Sequence, residues 1–150
     1  MRSILLILTI FVCAYSFAQK VHSEDNSIHL IKMKNSEREL YFSESIGAYS
    51  AKPNDIKVCE KLLTKAFHEA QRTGLIDIGR NLADYSRQFY GYVTKNGDTV
   101  IWVNCIFDKN HKLGTKLNEI ILNEGGGDNY FRTTVSIRRK IYFNFEVNHK

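Results

Sequence analysis

The spacing of apolar residues changes along this chain, and each change marks an element. Residues 4–15 are an almost unbroken apolar run, interrupted only by Thr9. Further on, Ile56, Cys59, Leu63, Ala66 and Ala70 recur at three- and four-residue steps, flanked by Leu62 and Phe67. Lys57, Glu60, Lys61, Lys65, His68 and Glu69 lie mostly on the other side. That is the stripe of an amphipathic helix over about 54–73. Asn54 or Asp55 is placed to cap its start, and Gly74 to end it in left-handed backbone. From Tyr85 onward the period falls to two. Ile101, Val103, Cys105 and Phe107 make one apolar face, and Ile141, Phe143, Phe145 and Val147 alternate with Tyr142, Asn144 and Glu146. Such runs predict half-buried strands.

Asn96-Gly97 between two strand-like runs is a strong short hairpin signal. A two-residue loop pairs Lys95 with Asp98, sets Gly91 opposite Trp102, Phe89 opposite Asn104 and Gln88 opposite Cys105. Arg87, Phe89, Trp102 and Asn104 then share one face, and Ile101, Val103 and Cys105 turn to the helix. The first face is apolar enough to need a cover of its own. Shorter strands are expected at 28–33, 39–42, 117–123 and 129–137. Residues 43–53 and 124–128 read as connections, the latter a glycine turn using positive φ. The sum is one α+β domain over 28–150. A helix packs on a bent antiparallel meander at about 80–147, behind a loose segment at 19–27.

The first apolar run changes the picture of where the chain goes. Arg2 precedes it, and Ser16-Phe17-Ala18 follows with small residues where a signal peptidase reads them. About 12 apolar residues fall short of the roughly 20 that span a bilayer. Residues 1–18 therefore read as a secretory signal peptide, and the product as secreted or periplasmic, with no membrane association after cleavage. Val12 before Cys13 argues against lipid attachment at that cysteine. Cleavage leaves 132 of the 150 residues, with 20 basic against 16 acidic groups, a net +4. That is enough chain for a core without staples. The charge is modest, and export takes the chain away from nucleic acid, so nucleic acid is not expected as a partner. Cys59 and Cys105 remain, and an even pair in an oxidising compartment suggests a disulfide.

Candidate chemistry is sparse. His22, His29, His68, His111 and His149 show no metal-ligand spacing, so no metal or cofactor is expected. There is no Gly-x-Ser-x-Gly or Ser-x-x-Lys nucleophile motif. Gly125-Gly126-Gly127 lacks the Lys-Ser/Thr and helix of a phosphate loop. Glu37, Glu39, Glu44, Asp77 and Asp84 form no acid/base pair by position. Arg138-Arg139-Lys140 reads as a solvated turn. What stands out is a set of aromatic and Arg-rich strand positions, Arg87, Phe89, Trp102, Asn104, Tyr130 and Arg132, of the kind enriched at binding surfaces.

The stretch Tyr85-Ser-Arg-Gln through Trp102-Val-Asn-Cys105, the glycine turn before Asn129-Tyr130-Phe131, and the close at 142–148 carry a resemblance. Over roughly 55–148 the chain resembles a group of small secreted bacterial proteins of unassigned function. The helix-plus-bent-sheet arrangement is similar to cystatin-like and NTF2-like folds. The Gln-x-Val-x-Gly with which cystatins inhibit cysteine proteases is matched only by Gln88-Phe89-Tyr90-Gly91, one residue short and without the Val. The expectation is a non-catalytic binding protein for a protein, peptide or glycan, or a homodimer covering its own face. A small NTF2-like enzyme or pocket protein, and an inhibitor or immunity-type protein, are the alternatives.

Overall fold

The computed structural model describes residues 27–110 and 112–148. The leader expected at 1–18 lies outside them. The chain order is β1 (Ile28–Leu30), α1 (Asn35–Tyr41), β2 (Ser45–Tyr49), α2 (Pro53–Arg72), β3 (Tyr85–Thr94), β4 (Thr99–Phe107), β5 (Tyr130–Ser136) and β6 (Ile141–Val147). Short 3-10 turns occupy Leu82–Asp84, Gly114–Asn118 and Gly127–Asn129. The fold is α+β, with an open, mixed sheet in the order β1-β3-β4-β5-β6. One edge of β3 is split between two partners. β1 runs parallel to it against Arg87–Phe89, and β2 antiparallel against Gly91–Thr94.

The long helix forms where its apolar stripe predicts. Cys59, Leu63, Ala66, Phe67 and Ala70 are buried. Cys59, Leu63, Phe67 and Ala70 pack on Tyr85, Phe89, Ile101, Val103, Cys105, Phe131 and Val135 from the sheet. Each large apolar side chain buried here contributes about 1.5–3 kcal/mol relative to exposure. The start differs from expectation. Lys52 is the N-cap, Pro53 opens the helix where its missing N–H costs nothing, and Asp55 caps from the third helical position. The Asp55 carboxylate accepts the Lys52 N–H and the Tyr49 hydroxyl, both at 2.8 Å. Gly74 (φ 76°) does end the helix. Its N–H reaches the Gln71 carbonyl at 3.1 Å and the Leu75 N–H the Ala70 carbonyl at 2.9 Å, a Schellman closure.

Several expectations are corrected. Residues 39–42 are the end of α1 and its cap, not a strand. Residues 43–53 contain β2. The stretch 117–123 is a 3-10 turn and irregular chain rather than a strand. Ser27 is not loose but buried against Arg87. The hairpin loop has three residues, Lys95, Asn96 and Gly97. The Thr94 N–H meets the Asp98 carbonyl at 2.9 Å and Gly97 takes φ 72°. Tyr90, not Gly91, therefore opposes Trp102, and Phe89 opposes Val103. The alternation of β6 also breaks. Asn144 (φ 51°) sits in a bulge, so Phe143 packs on one face and Phe145 and Val147 on the other.

Gly91 is required by the close approach of β2. A Cβ there would overlap the Tyr49 carbonyl oxygen, where β2 closes on β3. Gly91→Ala is expected to lower stability by about 2 kcal/mol through overpacking against backbone. The loss should appear as accelerated amide exchange in Ser45–Tyr49 beyond that in α2. Unchanged exchange in β2 would contradict this reading.

Candidate functional site

The sheet face away from α2 carries a second apolar layer of Ile31, Phe42, Tyr90, Tyr92, Val100 and Trp102, with Met33, Ile120 and Phe143 against it. Two pieces of chain cover it. From one side α1 delivers Phe42, whose ring lies 5.0 Å from Tyr90, 4.9 Å from Tyr92 and 5.5 Å, edge-on, from Trp102. From the other side the segment 117–121 is pinned by two buried amides. Gln88 Nε2 donates to the carbonyls of Leu117 (3.0 Å) and Glu119 (2.6 Å). Its Oε1 accepts from Asn104 Nδ2 (3.0 Å) and the Ile121 N–H (3.2 Å). Asn104 Nδ2 also donates to the Ile121 carbonyl at 2.7 Å. Amides buried and satisfied in this way fix a loop in one place.

The two covers leave a cleft of about 380 Å³ between them. Tyr92, Trp102, Thr134 and Phe143 line it from the sheet, Tyr41–Glu44 from the α1 side, Ile120 from the pinned segment and Leu122 from just beyond it. At its rim Arg132 Nε donates to Glu146 Oε2 at 2.8 Å, and its terminal nitrogen lies 2.8 Å from the same oxygen. Burial, with Glu44 nearby, raises the Tyr92 hydroxyl above its ordinary pKa, so it is a donor at neutral pH. A smaller cleft of about 210 Å³, with Asp98 and Arg138 in its lining, continues past Glu44, Thr94 and Phe143.

Of the six expected contact residues, Trp102, Asn104, Tyr130 and Arg132 share this face by register. Only Trp102 and Arg132 line the cleft, and Asn104 is spent on the 117–121 segment. Arg87 and Phe89 lie on the α2 face. Phe89 is in the main core. Arg87 Nε stands 3.2 Å from Glu60 of α2, and its other nitrogens donate to the Leu82 carbonyl (3.2 Å) and to Ser27 Oγ. Both were misplaced by the extra loop residue. Tyr92 was missed for the same reason. Thr134 and Glu146 lie in line with Arg132 and were open to detection by strand alternation, whereas no sequence signal marked Glu44.

Other chemistry-bearing groups are structural. Asp128 of the glycine turn pairs with Arg80 at 3.0 Å, and the Arg80 guanidinium lies 4.1 Å over the Phe107 ring. Arg139 is not merely solvated. It pairs with buried Asp98 at 2.9 Å, which also accepts from Ser136 Oγ at 2.8 Å. Among the described residues no three His, Cys, Asp or Glu converge as a metal site, and no helix is long and apolar enough to cross a membrane.

Cys59 and Cys105, expected to be bridged, are free thiols buried in the main core. Burial pushes Cys59 up to about 12 and Cys105 well above the ordinary thiol value. Both are protonated and unreactive at neutral pH. A thiol reagent should label neither in the native protein and both after unfolding without reductant; a mass two hydrogens lighter and no label would restore the bridge. Tyr85, Tyr90 and Tyr92 are likewise raised by burial. These groups ionise earlier in the unfolded chain, which then binds fewer protons than the folded one. Stability is thus present in full below the unfolded thiol pKa of 9.0 and lost as pH climbs toward about 12. A urea midpoint followed from pH 7 to 11 should hold steady and then fall above about pH 9.

No protein-family model, no curated protein and no solved structure matches the chain.

Proposed function

We propose that the chain is exported, loses residues 1–18, and acts as a non-catalytic binding protein whose ligand enters the cleft between α1 and the 117–121 segment. The observation that carries this reading is where the free volume lies. The space between α2 and the sheet, where a small NTF2-like enzyme would keep its pocket, is filled by Leu63, Phe67, Tyr85, Phe89 and Phe131. The opposite face is covered on two flanks only, and its open middle is aromatic at the floor and polar at the rim. Concave, partly apolar sites with a few fixed polar groups are the usual form of ligand pockets. A non-catalytic role is further supported by the state of the charged pair at the rim. Arg132 and Glu146 are engaged with each other.

The test is native mass spectrometry of the protein recovered from its own envelope fraction, beside Thr134→Phe, which fills the cleft. The expected result is a retained ligand on the parent and none on the variant, at equal thermal stability. A ligand retained equally by both would place binding elsewhere and overturn the reading.

A further inference from the structure

The chemistry of the cleft lining narrows the ligand. Tyr92, Trp102 and Thr134 are only 9%, 7% and 5% exposed, and all three line the cleft. Among the described residues none of the Tyr92 hydroxyl, the Trp102 indole N–H or the Thr134 hydroxyl has a hydrogen-bond partner. Nor do these atoms number among the sealed, unpaired ones. Three nearly buried side chains that each carry a donor therefore line one cleft. Water meets such donors in the open cleft, so an occupant that displaces it must bring acceptors of its own.

The opposite need is on the walls. Glu44 and Glu146 are carboxylates and accept only. The one lining cation, Arg132, already holds Glu146 at 2.8 Å. The lining thus carries two carboxylates against one cation, which disfavours a phosphate or carboxylate ligand. The required ligand offers acceptors to the floor and donors to the walls at short spacing, carries no negative charge, and presents apolar C–H surface to Trp102, Phe143 and Tyr41. Hydroxyl groups are donor and acceptor at once, and a sugar ring sets several of them around a C–H face. The volume of about 380 Å³ lies near the lower end of the roughly 300–1,000 Å³ common for ligand pockets, so the fit is to a short ligand rather than a polymer.

We propose that the cleft is a binding site for a neutral mono- or disaccharide unit, held by Tyr92, Trp102 and Thr134 at the floor and Glu44 at the wall. This rests on the reading of the cleft as the ligand site.

Trp102 is the single tryptophan of the chain and reports directly on the floor. The experiment titrates the full chain, by Trp102 fluorescence, with N-acetylglucosamine, N,N′-diacetylchitobiose, maltose and cellobiose, each to about 20 mM, where a millimolar site is nearly full. Tetramethylammonium chloride, triglycine and inorganic phosphate are run beside them. The expected result is a saturable shift with at least one sugar and none with phosphate. Glu44→Gln, at an exposed position, should weaken that sugar about tenfold, as loss of a hydrogen bond to a charged group does. Thr134→Phe should abolish the shift. A saturable, variant-sensitive shift with tetramethylammonium, triglycine or phosphate but no sugar overturns the saccharide assignment and leaves the cleft as a ligand site. Silence from every probe, with a bare protein from the envelope, overturns both. A sugar response untouched by either variant also overturns the proposal.

Discussion

Arg87→Met is expected to destabilise the fold by about 3–4 kcal/mol, a large part of the 5–15 kcal/mol typical of a domain. Arg87 is 5% exposed, and its guanidinium serves three pieces of chain at once. It faces Glu60 across the α2–sheet interface at 3.2 Å, donates to the Leu82 carbonyl at 3.2 Å, and holds Ser27 at the start of β1. Removing it leaves Glu60 under the helix without its counter-charge and the Leu82 carbonyl short of a donor. Glu60 is 29% exposed, so water recovers part of the loss, which sets the effect at the lower end for a broken buried pair. The measurement is a urea midpoint for the parent, Arg87→Met, Glu60→Gln and the double variant. The double variant should recover part of the loss, because it removes the stranded charge. A single-variant loss below about 1 kcal/mol would show that the pair is merely a surface one.

Gln88→Leu is the second large effect, at about 3 kcal/mol. Its cost arises on the other face. The side chain is fully buried and makes four hydrogen bonds, three of them to the backbone of the 117–121 segment. Leucine fills the space but leaves two carbonyls and the Ile121 N–H unmet. The segment then loses its fixed place, and with it Ile120 and Leu122, which wall the cleft. Two signatures separate this from a general loss of stability. Exchange at the Ile121 amide should rise more than in α2, and ligand response at Trp102 should fail at temperatures where the protein is still folded. Equal protection at Ile121 in parent and variant would remove the pinning role.

What the sequence made legible was what repeats. The stripe from Ile56 to Ala70 gave α2, and β3, β4 and β6 lie where the period-two runs put them, because burial of one face imposes a pattern. What it concealed were features set by single residues. The choice between a two- and a three-residue loop at Asn96-Gly97 is decided by local backbone geometry, and one residue of slip inverted the faces of β3. That moved Arg87 and Phe89 out of the candidate site and brought Tyr92 into it. Helix α1 leaves no stripe, since Leu40 and Tyr41 are exposed and Phe42, at its cap, is the residue that packs. The apolar run Leu117, Ile120, Ile121 and Leu122 looks like a strand. Its carbonyls are instead taken by Gln88 and Asn104, a long-range choice no local pattern shows.

The divided edge of β3 has a consequence for the order in which this molecule assembles. A chain emerges in one direction, from the ribosome or from a membrane channel, amino end first. Ile28–Leu30 and Ser45–Tyr49 come out early, but both take their hydrogen bonds from Tyr85–Thr94, which follows some 40 to 60 residues later. Contacts so distant in sequence form slowly, because the intervening loop must close before any bond rewards it. Ile28–Leu30 and Ser45–Tyr49 therefore gain their sheet partner only once Tyr85–Thr94 is present to receive them.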